Sequence, residues 1–282
     1  MAIQIRLHDD LRSFGELVRP ILEADPVRHT IAVTVLAARL RPGAPNDLAH
    51  LVTVHEDGVV TGAAMRVEGW SLIVSALPAR FAPAVADVLA GQAPEPTGVS
   101  GPRDEAEAFA TAWRARTGRG CSSVMGQRLF ELGTLTPPAG VPGGSRVATL
   151  ADLDLLDAWY HDFAEDALPA DWPRAGRDDI ARMIAAGHPN VLWEVDGEPV
   201  SMATARPPAA DMSRIGPVWT PPEHRNRGFG SAVTAAATQW ALDAGARHVV
   251  LFTDLANPVS NSIYQRIGFR PLLDAVDMTF ER

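Results

Sequence analysis

Two stretches of the chain alternate apolar and polar residues and then turn back at an Asp-Gly pair. Leu51-Val52-Thr53-Val54-His55-Glu56 runs into Asp57-Gly58 and returns as Val59 to Arg66. Val191-Leu192-Trp193-Glu194-Val195 runs into Asp196-Gly197 and returns as Pro199 to Arg206. Period-two alternation predicts strands, and Asp-Gly between two such runs predicts a tight hairpin. The two hairpins lie about 140 residues apart, and each follows a helical pattern that opens on an acidic cluster, Asp9-Asp10 or Asp152 and Asp154. The chain is therefore expected to repeat one plan twice.

Between the copies, Thr136-Pro137-Pro138-Ala139-Gly140-Val141-Pro142-Gly143-Gly144 breaks every periodicity. Residues 1–135 are expected to form one domain, 136–144 a Pro/Gly linker, and 145–282 a second domain. In the second half the pattern predicts a strand at 146–149, helices near 152–165 and 177–186, the hairpin, and a strand ending at Thr220. A helix near 228–244 follows, then a strand at 247–253, a helix at 258–267 and a strand near 275–281. Phe229, Val233, Ala237, Trp240 and Ala244 recur at helical spacing. Val249 to Phe252 is uniformly apolar, as in a strand covered on both faces. In the first half, Gly98-Val99-Ser100-Gly101-Pro102-Arg103 is expected to open a helix and to be a weakened counterpart of the glycine loop of the second half. The fold class predicted is α/β (α+β): two domains, each a mixed, mostly antiparallel twisted sheet flanked by helices.

Of the 282 residues, 46% are apolar, enough for two cores. The net charge of −9 argues against a general nucleic-acid-binding surface. Every basic residue other than histidine is arginine, so no lysine Schiff base or phosphate-loop lysine is available. The lone Cys121 excludes an internal disulfide and reads as a strand-edge thiol. The eight histidines show no ligand-pair spacing, so no metal is expected. With no apolar run of about 18 residues, a cytoplasmic protein without a membrane partner is expected.

Candidate chemistry concentrates at Val218-Trp219-Thr220-Pro221-Pro222-Glu223-His224-Arg225-Asn226-Arg227-Gly228-Phe229-Gly230-Ser231. An apolar strand, a proline corner and an Arg-x-x-Gly-x-Gly loop lead straight into a helix. The first amides of a helix have no partner within it, and with the dipole they form an anion site. The glycines let an anion approach the backbone, and the arginines add charge. The loop lacks the third glycine of a dinucleotide fold. Farther on, Asn257-Pro258 reads as a helix start, and Tyr264 lies two turns later on the same face.

Arg225 to Gly230, followed by Asn257, Tyr264 and Gly268-Phe269, resembles the GNAT superfamily of N-acetyltransferases over roughly residues 145–282. The resemblance implies acetyl-CoA as cofactor. The backbone of Val218, Trp219 and Thr220 would pair with the pantetheine arm. The amides of Arg225, Asn226, Arg227, Gly228, Phe229, Gly230 and Ser231 would hold the pyrophosphate, and Asn257 and Asn261 would bond the cofactor nearby. Tyr264 would protonate the departing thiolate, and an amine, small-molecule or peptide, would attack the thioester directly; a homodimer is compatible with this reading. Many members carry a glutamate on the strand before the loop, but Met212 to Ile215 hold no carboxylate. Glu223, Asp211, Glu194 and Asp162 are the remaining candidates for a base. Asp162, Glu165 and Asp166 would form either an acidic acceptor rim or a solvated helix face. The alternative function is an acyl-CoA sensor without turnover, and the first half is expected to be a degenerate copy that binds no cofactor.

Overall fold

Both Asp-Gly pairs sit in the left-handed region, with φ of 49° and 88° at Asp57 and Gly58 and of 52° and 85° at Asp196 and Gly197. Two successive positive φ values match the twist of the strands they join. They close β2 (Leu48–Glu56) on β3 (Val59–Val67) and β8 (Asn190–Val195) on β9 (Glu198–Ala205). The structure, a computed structural model, describes residues 2–45, 47–170 and 172–281.

The described residues form two compact units, one of Met1–Gln127 with Leu273–Arg282, the other of Arg128–Leu272. The first unit runs β1 (Ile3–Leu7), α1 (Leu11–Ala24), α2 (Thr30–Arg39), β2, β3, β4 (Leu72–Ile73), α3 (Ala82–Leu89), β5 (Gly98–Pro102) and α4 (Arg103–Thr117), and then enters β6 (Cys121–Leu132). The second runs β7 (Gly144–Val147), α5 (Leu153–Ala167), α6 (Arg177–Ala185), β8, β9, β10 (Met212–Trp219), α7 (Phe229–Asp243), β11 (His248–Asp254), α8 (Pro258–Arg266) and the start of β12 (Phe269–Phe280). Both follow one order of elements. In both, the antiparallel ladder gives way to a parallel pair at the same place, β4 with β5 and β10 with β11. The repeat expected from the hairpins thus extends through the whole topology.

The terminal strand is longer than the sequence pattern indicates and begins at Phe269. Its residues 275–279 pair antiparallel with β5, Ala275 opposite Pro102 and Thr279 opposite Gly98. Leu273–Arg282 therefore group with the first unit, whereas a division at the Pro/Gly stretch assigns them to the second. The 136–144 segment packs within the second unit: Trp193 Nε1 donates to the Pro142 carbonyl at 2.9 Å. A Cβ on Gly143 would meet the Glu194 carbonyl oxygen at 2.0 Å.

Gly98 to Pro102 does not open a helix. It is strand β5, and α4 starts only at Arg103. Its glycines allow close strand packing, since a Cβ on Gly98 would lie 2.4 Å from the Met278 carbonyl oxygen and one on Gly101 2.9 Å from Val74 Cγ2. Topology makes the segment before α3 the counterpart of the Arg-x-x-Gly-x-Gly loop. That segment holds Pro78 and the buried Phe81, with Pro83 in the first turn. A proline there removes one amide and the buried ring fills the corner.

The core of the first unit gathers Val52, Leu72, Phe81, Leu89, Phe109 and Trp113 around Val276 and Phe280 of the last strand. Phe280 stacks on Trp113 at 5.3 Å between ring centroids, and also on Phe109 at 6.3 Å. Replacing a buried aromatic by alanine removes burial and leaves a cavity. Phe280→Ala is expected to destabilise the protein by about 3–5 kcal/mol in urea unfolding. A loss below ~1 kcal/mol would mean that the last strand does not seal this core.

Candidate functional site

The sheet of the second unit has two differently covered faces. Val191, Ala203, Ala205, Ile215 and Val218 pack against α7, with Val233 and Ala237. Leu192, Met202 and Trp219 pack against α5 and α6, with Leu156, Trp159, Tyr160 and Ile180. Alternation along each strand accounts for the division.

β10 holds the central irregularity. It pairs in parallel with β11 from Met212 opposite His248 to Ile215 opposite Leu251, and the pairing stops there. On its other edge the register with β9 shifts between Ile215 and Val218. Gly216 has φ of 142°, and Pro217 has no N–H to donate. A ladder cannot continue through that pair, so the two parallel strands part and leave residues 216–219 without β11 beside them. The gap suits an extended ligand lying along the strand.

Beyond the gap the chain makes a short 3₁₀ turn, Pro222–His224, and enters α7. Asn226 and Gly228 both have positive φ, 63° and 85°. Gly228 is the N-cap and supplies no side-chain cap, and the first bond of the helix runs from the Ala232 amide to the Gly228 carbonyl. The amides of Phe229, Gly230 and Ser231 thus precede the helical ladder. A Cβ at Gly228 would meet Val141 Cγ2 at 3.0 Å, and one at Gly230 would meet Thr220 Oγ1 at 3.3 Å. Glycine is therefore required at 228 by both conformation and space. The Arg227 guanidinium lies 4.9 Å from the Phe229 ring centroid, close to the helix start.

Arg225 departs from the rest of the loop. Its amide donates to the Pro222 carbonyl at 3.3 Å. Its side chain donates to the Thr220 carbonyl at 3.0 Å and to Asp166 at 2.8 Å, with the guanidinium 4.8 Å from the centre of Trp219. Arg225 therefore braces the corner against α5. The expected acidic rim is tied up in the same way: Asp166 holds Arg225, and Glu165 lies 3.2 Å from His161 and 4.0 Å from Arg174. Asp162 is exposed.

Thr220 and Trp219 are fixed by Ser201, whose hydroxyl donates to the Trp219 carbonyl at 2.9 Å and meets Thr220 Oγ1 at 2.8 Å. Val218 lies opposite Ala203. Asn257 caps α8, accepting from the Ser260 amide at 3.0 Å. Asn261 donates to the Asp254 and Asn257 carbonyls at 3.0 and 2.7 Å, and its Oδ1 is buried with no partner. Both asparagines shape the turn between β11 and α8. Tyr264 is buried in the cluster that contains Ile215, Val218 and Leu251, edge-on to Phe130 and Phe269. Burial pushes its phenol up to about 12, so it holds its proton at neutral pH.

Of the candidate bases, Glu194 pairs with Arg146 at 2.6 Å and Asp211 with Arg247 at 3.5 Å. Glu223 is exposed in the 3₁₀ turn. Sequence reasoning missed the polar network on the α5 face. Tyr160 Oη, Asn190 Oδ1 and Thr204 Oγ1 bond one another at 2.7 to 2.8 Å. Two residues beyond Thr204 comes Arg206, whose amide donates to the Arg214 carbonyl across the β9–β10 pair at 3.0 Å. A Gly-Pro pair inside an apolar strand was the one available signal of the ladder break.

Residues 154–269 match the Acetyltransferase (GNAT) family model. No curated protein matches the chain by sequence. Solved structures match it over nearly its full length. An acetyltransferase of the GNAT family from Colwellia psychrerythraea has a TM-score of 0.63 at 11% identity, covering 99% of this chain and 100% of that one. A GCN5-related N-acetyltransferase from Kribbella flavida has 0.57 at 20% identity, over 89% and 95%. A tandem GNAT protein from the clavulanic acid biosynthesis pathway has 0.56 at 14%, over 99% and 98%. At these identities the likeness is one of fold.

The left-handed φ and the contact with Val141 predict that Gly228→Ala costs about 1–2 kcal/mol of stability. Urea unfolding of the variant checks this, and an unchanged midpoint would remove the claim that the corner demands glycine.

Proposed function

We propose that the second unit, in which residues 154–269 match the Acetyltransferase (GNAT) family model, is an acetyltransferase domain of that kind, which binds acetyl-CoA between β10 and β11 and transfers the acetyl group to an amine. The pantetheine arm would lie along residues 216–219, where the ladder to β11 ends. The amides of Asn226 to Ser231, with Arg227 beside them, would receive the pyrophosphate. Arg225 would hold the corner in shape through Asp166. Asn257 and Asn261 would act mainly by setting the turn after β11, with Asn261 Oδ1 still open to a donor. The acceptor is a small-molecule or peptide amine.

In the reaction the neutral amine nitrogen bonds to the thioester carbon. The C–S bond breaks, the nitrogen gives up one proton, and the sulfur of CoA takes one. Tyr264 is the donor to that sulfur. Its raised pKa keeps the general acid loaded well above neutral pH. No carboxylate lies on β10, and Glu194 and Asp211 are held by arginines, so the amine proton would leave through water. The observation that carries this reading is the ladder break at Gly216-Pro217 directly before an uncapped glycine helix start, with a buried phenol in the same cluster.

A second reading, an acyl-CoA sensor without turnover, draws on the missing strand carboxylate. Thiol release from acetyl-CoA over a panel of amines separates the two. Tight binding of acetyl-CoA with no thiol release on any amine would favour the sensor. Tyr264→Phe is expected to lower kcat by about a hundredfold with acetyl-CoA affinity retained. In the wild type, kcat should show no alkaline loss from this phenol up to about pH 10. Undiminished turnover in Tyr264→Phe would remove Tyr264 from the mechanism.

A further inference from the structure

The first unit ends its antiparallel ladder at β1. Among the described residues, β1 pairs only with β2, from Ile3 opposite Glu56 to Leu7 opposite Val52, without a register shift. The Asp57 amide donates to the Ala2 carbonyl at 3.1 Å, and the His8 amide donates to the Leu51 carbonyl at 2.9 Å. In an antiparallel ladder the backbone groups of successive residues face opposite edges. The even-numbered residues of β1 therefore bond to β2, and the amides and carbonyls of Ile3, Ile5 and Leu7 face outward. That outer row presents a donor and an acceptor at each of the three residues.

The strand carries none of the usual guards of an open edge. Native sheets protect such edges with prolines, bulges or charges set among the edge residues. Ile3 to Leu7 holds no proline and no bulge. Its one charge, Arg6, turns along the strand and donates to Gln4 Oε1 at 2.9 Å. Ile5 packs against the core of the first unit. Ile3 and Leu7 lie on the same face by alternation, yet they are 50% and 42% exposed. Large apolar side chains on either side of an unpaired backbone row suit the addition of another strand.

We propose that this strand is β1 of a second copy of the chain, paired antiparallel about a two-fold axis at Ile5. In that register Ile5 meets the partner's Ile5, and Ile3 meets the partner's Leu7. All three outward-facing residues then exchange backbone bonds, and both exposed apolar side chains are covered. Gln4 comes opposite the partner's Arg6, so the amide–guanidinium bond made within one strand can be made across the two. A two-fold contact requires a surface complementary to itself, and only this register supplies one. An axis at Arg6 would oppose two guanidiniums. An axis at Ile3, Gln4 or Leu7 would leave an exposed apolar residue with no β1 residue across from it. The pairing uses the first unit alone and does not depend on acetyl transfer. It gives the copy without a glycine loop a role in assembly.

Sedimentation velocity on the full chain tests this. The paired stretch is short beside the roughly 20–30 residues a side of a standard interface, so association is expected to be reversible. The mass should rise with concentration toward twice the 30.1 kDa of one chain. Ile3→Lys with Leu7→Lys sets lysine opposite lysine in this register and is expected to hold the chain at one copy where the wild type is paired. Ile3→Lys with Leu7→Glu sets opposite charges together and is expected to restore the doubled mass. Gln4→Cys with Arg6→Cys falls at non-hydrogen-bonded pairs, where Cα atoms lie about 4.5 Å apart, within disulfide reach. Oxidation is expected to lock this double variant as a covalent dimer, and each single variant controls for Cys121. The cysteine pair carries the test if the charged variants do not fold. A wild type that stays at one copy up to about 1 mM would overturn the proposal. So would a doubled mass with both lysines in place, a folded opposite-charge variant that stays single, or a cysteine pair that does not cross-link.

Discussion

A parallel pair of strands stays together only while both supply donors and acceptors in register. In the second unit this condition fails at one dipeptide. Gly216 adopts a φ open to few residues besides glycine, and Pro217 has no hydrogen to give. Everything of interest in the unit is arranged around that failure. Beyond it β10 is no longer paired with β11, the glycine corner begins a few residues later, and Tyr264 packs among the side chains that flank it. In a closed ladder the same residues would make an ordinary sheet.

The surrounding charges act mainly to hold the corner. Arg225 looks like a phosphate ligand in sequence, yet three partners fix it to the corner and to α5. Its partner Asp166 looked like part of an acceptor rim. Ion pairs between partly exposed groups contribute little to stability by themselves. They can still restrict where a loop lies, and a loop that presents amides to an anion benefits from being already in place.

Much of this was legible in the sequence. Hairpins announce themselves by Asp-Gly between alternating runs, and Asn257-Pro258 marks a helix start whatever the tertiary context. The Arg-x-x-Gly-x-Gly loop was legible because its constraint is local, a positive φ before a helix. What could not be read were relations between distant residues. Nothing near Gly98 reveals that it pairs with residue 279, and a Gly-x-x-Gly-Pro run has the composition of a loop as readily as that of a crowded strand. Arg206 and Arg214 become neighbours only when the register of β9 and β10 is known. The break at Pro217 was visible as a residue type, but its meaning depends on which strand lies alongside.

The last strand has a consequence for how the chain is made. Val276 and Phe280 complete the core of the first unit, although they are translated more than 150 residues after Trp113, against which Phe280 stacks. A nascent chain emerging from the ribosome normally folds its leading domain first. Here the leading unit must wait, its aromatic cluster open along one side, until β12 arrives. Nascent-chain chaperones would meet that open cluster throughout synthesis of the second unit, and the emergence of β12, rather than of the first unit's own leading segment, would release the first unit to its finished form.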